Sequence, residues 1–295
     1  MTRETSTDTD TRTDRGTEAE KRDAVRDRYG AIGAGETETR TETTPGDSSG
    51  EGDCSGDSSE SETSCCGGGA ESSHTETLGY DPQRLDIVPE GANLGLGCGN
   101  PTAIAELESG ETVLDLGSGG GFDCFLAAEE VGPDGQIIGV DMTPEMLERA
   151  RQNAGRSGFE NVGFRLGEIE HLPVADESVD AIMSNCVVNL SPAKERVFEE
   201  ASRVLKPGGR LAISDIALTE QGSQELDDTD LEQYAACVSG AATIAQLESL
   251  LEEAGFESVS VRPKAESESI IRVMYDDPHL QDLLYSARIS ARKPQ

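Results

Sequence analysis

Thiols are the most reactive side chains in this sequence, and they are placed unevenly. Cys186 follows the apolar run "VDAIMSN", Cys237 lies in "YAACVSGA", and Cys65 and Cys66 are neighbours in a stretch of Ser, Gly, Glu and Asp. A soft, thiophilic centre takes thiolate ligands from separate chain positions. Cys186, Cys237 and one of Cys65 or Cys66 are the candidates for such a set. Structural zinc is a plainer use of cysteine, but its sites carry close pairs such as C-x-x-C, and none is present. A small buried apolar side chain is the plainer reading of Cys186 or Cys237 alone. It does not serve for the tail cysteines, which have no core around them. General bases are scarce: the three histidines are His74, His171 and His279. There is no tryptophan and aromatic content is 4%, so little is available to frame a planar ring. Together these features favour a small substrate that needs no base.

A second chemical signal is "VLDLGSGGGFD", where Asp115, Gly117, Gly119 and Gly121 lie between an apolar run and a helical pattern. Glycines there let the backbone turn sharply and approach a ligand at a helix N-terminus. A dinucleotide fingerprint requires G-x-G-x-x-G, but the third position is Phe122. Asp141 ends the next apolar run, 20 residues after Gly121. A carboxylate there can accept hydrogen bonds from both hydroxyls of a ribose.

These residues need a scaffold, and the periodicity supplies one. "ETVLDL", "GQIIGVDM", "NVGFRL", "VDAIMSN" and "RLAISDI" read as buried strands. "CFLAAEEVG", "TPEMLERARQNAGRSG" and "KERVFEEASRVL" read as helices between them. Thr143 is placed to cap the second helix and Pro144 to start it. This alternation predicts an α/β fold: a mostly parallel sheet with helices on both faces. Cys186 then stands at the carboxyl edge, where open α/β sheets bind ligands. Two helical stretches near 228–240 and 243–254 should carry Cys237 over that edge. "SVSVRP" and "SIIRVMY" are expected to add β-structure, and residues 264–295 suggest no function. "EKRDAVRDRYG" suggests a short helix stopped by Gly30. The expected divisions are an acidic, flexible, largely disordered tail with a cysteine-bearing lid (1–75), a cofactor-binding domain (76–218) and a substrate-binding insert with a helical and β C-terminal extension (219–295).

The formal net charge is −34. Residues 1–80 hold 8 basic and 19 acidic side chains, which leaves −23 on the rest. Only five lysines occur, Lys21, Lys194, Lys206, Lys264 and Lys293. Acidity that continues through the periodic segments reads as a solvating surface suited to high salt, where screening shortens self-repulsion. Such a chain should not grip nucleic acid or anionic membrane through phosphates. No apolar run of 18 residues and no signal peptide is evident. A cytoplasmic location is expected, with reduced thiols rather than a secreted disulfide framework.

The stretches "GLGCGNP", "VLDLGSGGGFDCFLAA", "GVDMTPEML", "LGEIEHLPV", "SNCVVNLSPAKERVFEEASRVLKPGGRLAISDI" and "YAACVSGA" resemble arsenite S-adenosylmethionine methyltransferases, class I methyltransferases of Rossmann-like fold. "SNCVVNL" is more specific than the glycine loop. The resemblance implies S-adenosylmethionine as cofactor, held by Asp115, Gly117, Ser118, Gly119, Gly121, Asp141, Met142, Glu168, Ile169 and Asn185. It implies arsenite as substrate, bound as As(III) by Cys186, Cys237 and Cys66 or Cys65, with arsenic's lone pair as the nucleophile. Thioredoxin or a small thiol would reset the cysteines by exchange, and a monomer is expected. Cys98 and Cys124 are read as structural, and Cys54 as a further redox partner. An organic carbon or oxygen methyltransferase is the alternative enzyme, and a thiol protein that only sequesters arsenite is the alternative of another class.

Overall fold

The computed structural model describes residues 17–36, 75–226 and 230–295. Cys54, Cys65, Cys66 and His74 lie outside the described residues. The larger helices are α1 (Glu18–Ala34), α2 (Phe122–Val131), α3 (Pro144–Ser157), α4 (Lys194–Val204), α5 (Leu231–Ala235), α6 (Ile244–Glu253), α7 (Ser267–Met274) and α8 (Pro278–Leu283). The strands are β1 (Thr112–Leu116), β2 (Gln136–Asp141), β3 (Val162–Leu166), β4 (Val179–Asn185), β5 (Leu205–Leu218), β6 (Ala242–Thr243), β7 (Glu257–Pro263) and β8 (Leu284–Arg292).

They form one eight-stranded sheet in the order β3-β2-β1-β4-β5-β8-β7, with β6 paired to the end of β5. The first five strands are mutually parallel. β8 is antiparallel to both β5 and β7. Alternate residues of β1 explain why both faces must be covered. Leu114 and Leu116 pack with Val197, Phe198 and Ala201 of α4. Val113 packs the other way, with Cys124, Ala127 and Val131 of α2. The expected α/β architecture is present.

Two local expectations are corrected. The helix expected to stop at Gly30 runs to Ala34, and Gly35, at φ 83°, supplies the left-handed cap. "SIIRVMY" is largely helix α7 rather than strand. Ser267, Ile270 and Ile271 are its buried positions, an i, i+3, i+4 spacing that a β-branched composition disguised. The strand that completes the sheet is "LYSARISAR", whose buried positions include Ser286, Ala287, Ile289 and Ala291. Its small and polar residues hide a central strand.

Candidate functional site

A cleft of about 1140 Å³ opens at the carboxyl ends of β1, β2 and β4. Its first wall is the glycine loop. Gly117 sits at φ 67°, and a side chain there would run into Val187. Ser118 is buried and its hydroxyl has no hydrogen-bond partner. Asp141 ends β2. One carboxylate oxygen accepts from Gly119 N–H at 2.9 Å, the other from Thr143 N–H at 2.8 Å. Burial pushes this carboxyl above its usual range, and those backbone bonds pull against it.

Asp115, Gly117, Ser118, Gly119, Asp141, Met142, Ile169 and Asn185 all line the cleft. Two expected members do not. Gly121 is the cap residue of α2, and a side chain there would meet Phe164 and Phe125. Glu168 turns to Arg26 of α1, 3.5 Å away. Its neighbour Glu170 lines the cleft instead, accepting from Ser191 Oγ at 2.6 Å.

Asp123, with no role expected from sequence, stands in the same wall. It accepts from Tyr80 Oη at 2.7 Å and from Asn185 Nδ2 at 3.1 Å. Burial raises its pKa to about 6 despite these bonds. Three carboxylates, Asp115, Asp123 and Asp141, with an unpartnered hydroxyl and the apolar Met142 and Ile169, suit a nucleoside carrying a positively charged tail. The signal for Asp123 lay in the "GFD" that closes the glycine motif.

The second half of the site is built from sulfur. Cys186 follows β4 directly and its N–H donates to Ser214 O at 2.8 Å. It has φ 58°, and Cys237, just after α5, has φ 65°. Non-glycine residues rarely adopt this conformation, and such positions cluster at functional sites. Cys237 Sγ donates to Cys186 O at 3.2 Å, so the two expected arsenic ligands are brought together. Cys237 is held below the cleft against Tyr29 of α1, whose hydroxyl is 4.0 Å away. Burial, reinforced by the Asp215 carboxylate, pushes its thiol up to about 12.

Cys186 is not a free thiol, as expected from sequence, but is disulfide-bonded to Cys98, Cα to Cα 5.8 Å. Cys98, expected to be structural, is fully buried in the core and is also the covalent partner of Cys186. Its flanking glycines were the signal: a side chain at Gly97 would approach Asn185 Nδ2 to 2.7 Å, and one at Gly99 would collide with Lys264 Nζ. The two glycines let the loop pass close to these side chains. The two sulfurs and an Asp215 oxygen lie within 4.8 Å of one another. Asn189 Nδ2 and Ile216 N–H, each at 2.8 Å, hold that carboxylate, and burial raises it to about 6. Cys124 is buried, and its thiol donates to Asp115 at 3.2 Å. Among the described residues no histidine lines the cleft, and His279 pairs with Glu225 at 3.0 Å.

Residues 107–255 match the methyltransferase domain family. An arsenite methyltransferase of Halobacterium salinarum is 51% identical over 93% of this chain and 67% of its own length. One from Aquipseudomonas alcaligenes is 43% identical over 59% of this chain and 52% of its own. The chain thus spans about two thirds of the first relative and about half of the second. Among solved structures, the arsenic(III) S-adenosylmethionine methyltransferase of Chlamydomonas reinhardtii matches at 29% identity and a TM-score of 0.50. That match covers 76% of this chain and 73% of the other.

Proposed function

This chain belongs to the arsenite methyltransferase family, and on that premise we propose that it methylates trivalent arsenic held by its own thiols. The carrying observation is that Cys186, which lines an acidic nucleoside cleft, is bonded to Cys98 and accepts at its backbone carbonyl from Cys237 Sγ. S-adenosylmethionine, when bound, supplies a sulfonium methyl group. Asp141 would hold the ribose, Met142 and Ile169 the base, and Asp115 and Asp123 the cationic tail. The unpartnered Ser118 hydroxyl gains a partner when the cleft fills.

No base is needed. Arsenous acid is neutral, and each thiol that condenses with it forms an S–As bond while its proton leaves with a hydroxide as water. A thiol pushed up to about 12 like Cys237 can therefore act without first ionising. The lone pair left on arsenic is the nucleophile, and the thiols place it for in-line attack. Cys186 and Cys237 supply two of the ligands, with the third from Cys98, Cys66 or Cys65. Methylation raises arsenic to the pentavalent state. Two thiols that join as a disulfide return two electrons to it, and the Cys98–Cys186 bond has the form of that spent state. Thioredoxin or a small thiol then reopens it. The same reading places the protein in the cytoplasm as a monomer.

The test is turnover of arsenite with labelled S-adenosylmethionine and a thiol reductant in molar KCl, with arsenic species separated by chromatography. The expected result is labelled methylarsenicals from the wild type and at least hundredfold less from Cys186→Ser and Cys237→Ser, a scale typical of losing a group that acts as part of a unit. Both variants should still bind S-adenosylmethionine. Undiminished turnover in both would sink the thiol assignment, and no methylarsenical with cofactor still bound would redirect the reaction to an organic substrate.

A further inference from the structure

The loop that carries Cys98 also forms a wall of the cofactor cleft. Ala92 to Gly97 line the cleft, and the next residue is the disulfide partner of Cys186. The link between the two is the side chain of Asn185, the residue before Cys186. Its Oδ1 accepts from Cys98 N–H at 3.0 Å. Its Nδ2 donates to Gly99 O at 2.7 Å and to Asp123 Oδ2 at 3.1 Å, with the Tyr80 hydroxyl at 2.9 Å. Tyr80 braces the same corner, reaching Gly99 O at 2.9 Å and Asp123 at 2.7 Å. One amide thus holds a carboxylate of the cofactor wall with one end and the thiol loop with the other.

We infer that Asn185 is a positioning residue that couples the cofactor cleft to the Cys98–Cys186 bond, so that S-adenosylhomocysteine, the product left after methyl transfer, is held more tightly while the bond is closed. Opening the bond gives Cys98 a thiol proton. The sulfur already lies 3.4 Å from Ser214 O and 3.8 Å from Asn185 Oδ1. A proton shared with Asn185 Oδ1 competes with Cys98 N–H for that oxygen, and the loop is no longer tied covalently to β4. Both changes loosen the grip of Asn185 on Asp123 and the order of the 92–97 wall. Coupling of binding equilibria is reciprocal, so the bound product must also oppose opening of the disulfide. The consequence is an order of events. The spent cofactor and the spent disulfide leave their states together, and reductive reset releases the product nucleoside.

The inference rests on the proposed reading for its place in a cycle, but its test needs no arsenic. Full-length protein is equilibrated with mixtures of reduced and oxidised dithiothreitol, with and without saturating S-adenosylhomocysteine. Opening moves two electrons and two protons from the dithiol, which cyclises to its own disulfide, to the two cysteine sulfurs. Quenching by alkylation and peptide mapping report the Cys98–Cys186 bond separately from other cysteines. The ratio of reduced to oxidised dithiothreitol at half-opening should rise about tenfold with the nucleoside bound, within the usual range of coupling. In Asn185→Ala the rise should shrink to less than about twofold at saturating nucleoside. Tyr80→Phe, which keeps the amide, should fall between the two and serves if the first variant does not fold. An unchanged ratio in the wild type overturns the coupling, and a full tenfold rise in Asn185→Ala overturns the role of that residue. Failure of arsenite turnover with the redox shift intact would instead fault the proposed substrate.

Discussion

The high pKa of Cys237 has a consequence at the level of a single proton. A thiol lifted to about 12 by burial stays protonated throughout the physiological range. Condensation with arsenous acid then takes up and releases no net proton, and only an already ionised thiol would need one from solvent. Cys237 should therefore add no pH dependence to the equilibrium affinity of the reduced protein for arsenite between about pH 6.5 and 8.5. A decline approaching tenfold per pH unit in that window, read by titration of free arsenite, would mean that a bound thiol has already lost its proton. Much of this centre was readable from the residues alone. Cys186 and Cys237 stood out because one follows a strand end at the ligand-binding edge and the other lies in the insert that comes after the fifth strand. The pairing of Cys98 with Cys186 spans 88 residues, and no local spacing encodes it. Tyr80 was missed for the same reason: it meets Asp123 43 residues away in the chain.

At the scale of elements, α1 is the piece whose importance its sequence understates. Nearly half of its residues are charged, yet Val25 is 2% exposed, and Arg22, Val25 and Tyr29 all line the cleft. Thr17 and Glu20 cap its start reciprocally. Arg26 pairs with Glu168 and Arg22 with Glu170 at 3.5 and 3.7 Å, while Lys21 Nζ lies 4.9 Å from the ring centre of Tyr234 in α5. Val25→Asp would bury a carboxylate without a partner, at a cost of several kcal/mol, more than partly exposed ion pairs can offset. The helix should detach while the sheet stays folded. Trypsin should then cut at Arg22, Arg26 or Arg28 far faster than in the wild type, and S-adenosylmethionine affinity should fall about tenfold, ~1.4 kcal/mol. Unchanged proteolysis and affinity would show that α1 does not close the site. The parallel strands were legible because their apolar runs are long and bounded. α7 and β8 were not: one has isoleucines and a valine on a helix, the other serines and alanines in a central strand, so tertiary packing decided both against composition.

For the whole molecule, a net charge of −34 makes the folded state a compact self-repelling body. In molar KCl the screening length is about 3 Å, and near 0.1 M it is about 10 Å, long enough for neighbouring surface carboxylates to act on one another. Stepwise dialysis from molar to about 0.1 M KCl should lower the thermal midpoint and the helical circular dichroism signal together. A midpoint independent of KCl would remove the high-salt reading, which the similarity to the Halobacterium salinarum protein otherwise supports. Among the described residues no helix is long and apolar enough to cross a membrane. The sheet order carries one more consequence, and it concerns synthesis. β8 sits between β5 and β7, and Ser286 within it donates to the Cys98 carbonyl at 2.8 Å. On the ribosome the glycine loop, β1, β2 and β4 emerge long before that strand does. A nascent chain can shape its nucleoside cleft early, but Cys98 lacks this support until residue 286 has been made and β8 has inserted between β5 and β7. Maturation of the thiol centre is thus deferred until β8 has been made and seated, when the scaffold that governs its reactivity is already in place.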